Sequence, residues 1–229
     1  MSESPRILVV LTSHNRLGDT GELTGFWLEE LAAPYYVFQD AGAHMLLASP
    51  KGGMPPLDPK SQLEEFQTAA TRRFEADISA MQQLRSTRVL SEVDEADFDA
   101  IFFPGGHGPL WDLAANANAT RLIEEFWAAE KVVSAVCHAS IALAGAKDDS
   151  GSPIVQDRQV TGFSNSEEAA VGLTEVVPLL VEDTLVAKGG RYQCEDDFVP
   201  FALRDGQLIT GQNPASSVPT AQLVLDAIR

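Results

Sequence analysis

Cysteine is scarce in this chain: 229 residues hold only Cys137 and Cys194. Two thiols make no disulfide framework, and reduced cysteines are what a cytosolic protein carries, so a cytoplasmic location is expected. Positive charge is scarce too. Sixteen Lys and Arg stand against 33 Asp and Glu, a net charge of −17. That balance disfavours nucleic acid and anionic membrane surfaces as partners, and most of it reads as solvated surface. No apolar run approaches the ~20 residues of a membrane span. The start, MSESPRILVV, lacks a basic segment with a long apolar one behind it and lacks a small-residue cleavage site, so no signal peptide is expected. Internal repeats, low-complexity tracts and evident linkers are absent. There is no P-loop lysine and no strand–GxGxxG–helix fingerprint, which speaks against nucleotide binding. The four histidines and two cysteines show no metal-ligand spacing, so neither metal nor cofactor is expected.

What is present reads as one α/β domain over residues 1–229, a size at which such sheets commonly share one core. Apolar runs at Ile7–Leu11, Met45–Ala48, Ala100–Phe103 and Val132–Val136 read as strands, with a further short one at Gln159–Gly162. Phe201–Asp205 and Gln207–Gly211 flank Asp205-Gly206 and predict a hairpin near the C-terminus. Helices are expected over Phe26–Ala41, with Pro34 a kink or register break, and over Thr120–Glu130, Glu167–Gly172, Val177–Lys188 and Ser217–Ile228. Leu63–Leu90 has a largely helical composition and looks like an insertion or lid, about residues 60–95. The alternation argues a three-layer sandwich around a doubly wound, mostly parallel, flavodoxin-like sheet.

The chain is read around KVVSAVCHASIALAGA, Lys131 to Ala146. An apolar strand turns through Cys137-His138 into a helix-like stretch of small residues, and Ala135 and Ala139 flank the cysteine at minus two and plus two. A sharp strand-to-helix turn crowds those two places, which is the logic of a nucleophile elbow with sulfur for oxygen. Helix amides at such a turn are expected to lower the thiol pKa. The plainer reading of Cys137 is a buried small hydrophobe.

Sites in open α/β sheets lie beyond the carboxyl ends of the strands. Gly105 and Gly106 end the third strand there, and with the His138 amide they would form an oxyanion hole. Taken alone, they are a tight turn. Glu30, in the first helix, would be held protonated beside a thiolate and would shuttle a proton; Glu29 is its natural control. His138 would exchange a proton with the thiol, oriented by Glu167 or Glu168, whose commoner role is to stabilise a helix dipole. His14 and His107 fall on strand-end loops and are expected to line the pocket. Cys194 reads as incidental.

Thr24–Glu30, Ala48-Ser49-Pro50 with Gly52-Gly53, Pro104–Gly108, Ala135–Ala139, Val160–Phe163 and Thr210–Ser216 together resemble the ThiJ/PfpI superfamily, of the class I glutamine amidotransferase-like fold. The resemblance spans nearly the whole chain and is strongest to its heat-shock-associated branch. It implies cofactor-independent glyoxalase III activity alongside chaperone and deglycase roles. It implies Cys137 as nucleophile, Glu30 as the acid/base in contact with it, His138 as second triad member and Glu168 as third. Gly106 and the His138 amide match the oxyanion donors. One departure is Ala139-Ser140, where Gly or Gly-Pro commonly follows Cys-His. The adjacent His138 argues against glutamine amidotransferase activity, whose histidine lies far from its cysteine.

The expected function is conversion of methylglyoxal or a similar 2-oxoaldehyde to a 2-hydroxy acid such as D-lactate, without glutathione. The rivals are a stress chaperone or oxidation sensor, with an exposed apolar patch at a dimer face, and a Cys-His peptidase or amidase. A homodimer is expected.

Overall fold

A computed structural model of the chain describes residues 4–228. The first residues of the stretch read for a signal peptide lie outside them. The central sheet is built from β1 (Arg6–Val10), β2 (His44–Ser49), β3 (Arg88–Val89), β4 (Ala100–Phe103) and β5 (Val132–Val136). A separate parallel pair is formed by β6 (Gln159–Val160) and β7 (Arg191–Tyr192). The sheet is completed by β8 (Ala202–Asp205) and β9 (Leu208–Gly211). Its order is β3-β2-β1-β4-β5-β9-β8, all parallel except β8, which pairs antiparallel with β9 in the expected hairpin. The order reverses between β1 and β4, and that switch opens a crevice at the carboxyl ends of the strands.

The strands read as unbroken apolar runs because both faces are covered. Alternation along each strand divides them. Leu8, Val10, Ile101, Phe103 and Val133 face one layer, and Ile7, Val9, Ala100, Phe102 and Val132 face the other. The second layer holds α1 (Leu28–Asp40), α2 (Ala69–Ala76) and α3 (Ile78–Arg85). The short α4 (Pro109–Asp112) and α5 (Ala117–Ala128) belong to the first, as does a 3-10 run over Cys137–Gly145. Then come α6 (Asn165–Ala170), α7 (Val181–Ala187) and α8 (Ser217–Ala227), the last packed beside α1. Among the described residues no helix is long and apolar enough to cross a membrane.

Three local expectations are corrected and a fourth is refined. Leu63–Leu90 is largely helical, as its composition predicts, but divided among short helices. Thr68 accepts from the Ala70 and Thr71 amides and starts α2, while Asp77 accepts from Ser79 and Ala80 and starts α3. Each cap satisfies orphan amides that a continuous helix would have used internally. The end of that segment is the edge strand β3, too short to show a period. Pro34 does not break α1, which runs on to Asp40. The elbow leads into a 3-10 run, not an α-helix. The helix expected from Val177 begins only at Val181, beyond Pro178.

Candidate active site

Cys137 stands where β5 ends, with φ at +59°. Side chains other than glycine rarely occupy that region, and holding one there costs about 1–3 kcal/mol. The strain aims the sulfur into the crevice. Ala135 and Ala139 beside it are fully buried, so larger side chains there would have to displace packed neighbours.

Gly105 and Gly106 meet the elbow from β4. A Cβ on Gly105 would lie 2.5 Å from Glu30 Oε2 and 3.0 Å from the Cys137 Cβ. Gly106 has φ +96°, and a Cβ there would lie 2.5 Å from the Trp27 nitrogen. Bare backbone is therefore what lets the first helix, the glycine turn and the elbow converge.

The side chains form a continuous hydrogen-bonded chain. Cys137 Sγ lies 3.2 Å from His138 Nδ1. His138 Nε2 lies 2.8 Å from Glu168 Oε2, and His107 Nε2 lies 3.0 Å from Glu168 Oε1. Burial and the neighbouring His107 lower His138 to about 4, against the pull of Glu168. Burial alone would raise Glu168, but hydrogen bonds from His107 and His138 outweigh it and set it at about 2. Glu168 is thus an ionised acceptor. His138 is neutral, donates from Nε2 to that carboxylate, and keeps the Nδ1 lone pair for the thiol proton.

Glu30 is fully buried on the other side of the sulfur. Burial raises its carboxyl to about 8, although the Cys137 thiol and the Gly105 amide pull the other way. The Gly105 N–H donates to Oε2 at 2.8 Å, and, the Cys137 thiol apart, Oε1 meets no hydrogen-bonding group among the described residues. The carboxyl is therefore protonated at neutral pH, with its proton on Oε1. The expected depression of the thiol pKa is reversed. Burial first, and Glu30 next, push Cys137 well above the ordinary thiol value, and the His138 backbone amide offsets this only in part. A buried sulfur beside a carboxyl outweighs the field of the 3-10 run that begins at it.

The two open alternatives separate by contact. Glu168 holds the histidines. Glu167 instead accepts from the Ser164 amide, the Phe198 amide and Asn213 Nδ2. Glu29 accepts from Thr68 Oγ1 at 2.6 Å. His14 lies away from the site, stacked on Trp111 with its Nε2 against the Arg16 carbonyl, and Cys194 is exposed. The sequence spacing shows no metal pattern, yet donor atoms of His107, His138 and Glu168 come within 4.8 Å of one another, a set able to hold an ion. Three residues some thirty positions apart cannot show this as a spacing. One carboxylate already holds both imidazoles by their Nε2 atoms, an arrangement that needs no ion to explain it.

Cys137, His138, Glu30, Gly106 and His107 line one cavity of about 290 Å³. Sequence reasoning missed its walls, which include Trp27, Phe66, Phe163 and Phe198. Such residues carry no signal apart from the loops they sit on.

A flavodoxin-like sheet carrying a strained cysteine elbow, a Cys–His–Glu chain and a buried carboxyl defines an α/β protein with a cysteine-centred site. The chain belongs to the DJ-1/PfpI family, whose profile matches residues 23–227. Glyoxalase 3 of Candida albicans is 28% identical over 231 residues, covering 97% of this chain and 98% of that protein. The crystal structure of glyoxalase III from the same organism superposes with a TM-score of 0.91 at 27% identity, over 98% of each chain. The Francisella tularensis Rapid Encystment Protein 24 KDa is 37% identical with a TM-score of 0.94, covering 98% of this chain and 99% of that one.

Proposed function

We propose that this protein converts methylglyoxal or a similar 2-oxoaldehyde to a 2-hydroxy acid, D-lactate in the case of methylglyoxal, with no glutathione. The observation that carries the reading is the fully buried Glu30 carboxyl, set beside the Cys137 thiol and facing the same cavity as the Cys137–His138–Glu168 chain. The similarity to proteins named glyoxalase supports it.

The thiol proton passes to His138 Nδ1 as sulfur adds to the aldehyde carbon, and the imidazolium is held by Glu168. The Gly106 and His138 amides support the developing alkoxide. Glu30 protonates that oxygen and so becomes a carboxylate when a base is needed. It removes the hydrogen on the same carbon while His138 protonates the neighbouring carbonyl oxygen, giving an enediol. Glu30 returns its proton to the second carbon, the first hydroxyl loses its proton to His138, and a thioester remains. Water cleaves the thioester. One water proton goes to Glu30, and His138 reprotonates the sulfur. The oxidation of one carbon balances the reduction of the other, so no external redox partner enters. A carboxyl at about 8 is well matched to both halves of this exchange near neutral pH.

A compact cavity walled by aromatic rings weighs against an extended peptide substrate. A buried thiol raised in pKa weighs against a sensor that works by ready oxidation. The proposal includes a single-domain, cytoplasmic homodimer; light scattering and fractionation test the assembly and the location. The central test is methylglyoxal loss in a glutathione-free assay with chiral analysis of the lactate. Cys137→Ala should lose activity to background, and wild-type turnover by that variant would refute the reading.

A further inference from the structure

The chemistry of the floor leaves open what hangs from the dicarbonyl. Above Cys137 the wall is formed by Trp27, Phe66, Phe163, Val171, Phe198 and Pro214. Asn213 also lines it, but its side chain is spent on protein: Nδ2 donates to Glu167 and to the Val199 carbonyl, and Oδ1 accepts from Ser216. With His107 tied by its Nε2 to Glu168, the wall above the sulfur offers a substituent mainly apolar surface. Its volume of about 290 Å³ is on the order of ten water volumes at ~30 Å³ each, more than a methyl group fills.

Three of the large apolar side chains exposed at the surface, Phe66, Val171 and Phe198, stand around this one mouth. Trp27 and Phe66 meet edge to face at 5.0 Å, and Phe198 leans on Phe163, which in turn covers His138. Phe198 sits at φ +62°, an outlier for a bulky residue. The fully buried Glu167 accepts its amide at 2.8 Å. A strained residue persists only where its surroundings over-determine it.

Resting on the glyoxalase reading above, we infer that the preferred substrate is a 2-oxoaldehyde with an aryl-sized apolar substituent, gripped by Phe198 and Phe66, and that Phe198 is a specificity-determining residue held in place by Glu167. Methylglyoxal is turned over but underfills the site, and a hydroxylated substituent leaves its hydroxyl unpaired against the rings.

The test compares kcat and KM for phenylglyoxal, methylglyoxal and hydroxypyruvaldehyde in glutathione-free buffer. Wild type should favour phenylglyoxal by tenfold or more in kcat/KM over either of the others. Phe198→Gly removes the ring and suits the backbone, so folding is not at stake. It should cut the phenylglyoxal-to-methylglyoxal ratio at least fivefold, chiefly through KM, and Phe198→Tyr should restore the ratio. A wild-type preference for methylglyoxal or hydroxypyruvaldehyde, or a ratio unchanged in Phe198→Gly, would overturn the inference and leave the glyoxalase reading standing. If wild type consumed none of the three faster than Cys137→Ala, the reading itself would fall and take the inference with it.

Discussion

Two pairs of neighbouring glutamates, one opening α1 and one in α6, are treated in the same way by the fold. Glu29 ties α1 to the cap of α2 through Thr68, while Glu30 turns inward to the sulfur. Glu167 ties α6 to the Phe198 loop and to Asn213, while Glu168 turns to two histidines. Successive helical residues are about 100° apart, so one carboxylate of each pair meets the cleft and the other meets a neighbouring segment. Burial does not distinguish bracing from chemistry, since Glu30, Glu167 and Glu168 are all buried. Partners do. Both oxygens of Glu167 accept from amides, whereas Glu30 accepts from the Gly105 amide alone and otherwise meets the Cys137 thiol.

The comparison breaks most visibly at α1. Glu30→Gln should lower kcat/KM for 2-oxoaldehydes by about a thousandfold, because an amide cannot carry a proton between carbons. Glu29→Gln should stay within about threefold, since only its bond to Thr68 changes. Equal losses in the two variants would dissolve the distinction. The same Glu30→Gln change should stabilise the protein. A carboxyl raised to about 8 in the fold and ordinary in the unfolded chain holds its proton more tightly when folded. Stability is then lost progressively as pH rises from the ordinary carboxyl value through about 8. At pH 7 the deficit is about 3 kcal/mol as an upper estimate, and glutamine does not incur it. Thermal unfolding at pH 5 and pH 8 checks this: the gain should be small at pH 5 and larger at pH 8.

Much of this architecture was legible in the sequence, for physical reasons. Ile7–Leu11 and Val132–Val136 are buried on both faces and so read as unbroken apolar runs. The Cys137 elbow announced itself because small residues must flank so sharp a turn. The gaps have causes too. Leu63–Leu90 had the composition of a helix, and only Thr68 and Asp77, both good caps, marked where it divides. The sign of the thiol shift depends on burial, which no local pattern encodes. The choice between Glu167 and Glu168 depended on segments thirty or more residues away. The ring of Trp27, Phe66 and Phe198 comes from separate loops and was invisible as a group.

At α6 the contrast is smaller. Glu168→Gln should cost about 30- to 100-fold in kcat with little change in KM. The amide still holds His138 in place but no longer stabilises the imidazolium formed when the thiol gives up its proton. Glu167→Gln should act differently. Its defect should appear as a lower Tm and a higher KM, because the Phe198 loop and Asn213 lose a charged acceptor. A Glu167→Gln variant that loses kcat at unchanged KM and Tm would reverse the assignment.

The finest discrimination comes from pH. In the free enzyme Glu30 must be protonated to donate to the nascent alkoxide, so kcat/KM should fall about tenfold per unit above its value of about 8. His138 must be neutral to accept the thiol proton, so the acid limb should lie near its value of about 4. A free histidine would put that limb near ~6.5. In Glu168→Gln the acid limb should move lower still, because the carboxylate raises His138 and its loss removes that support. The alkaline limb should stay put. If the alkaline limb moved and the acid limb did not, Glu168 would be acting on the thiol–Glu30 pair instead of on the histidine, and the division of labour between the two helices would have to be redrawn.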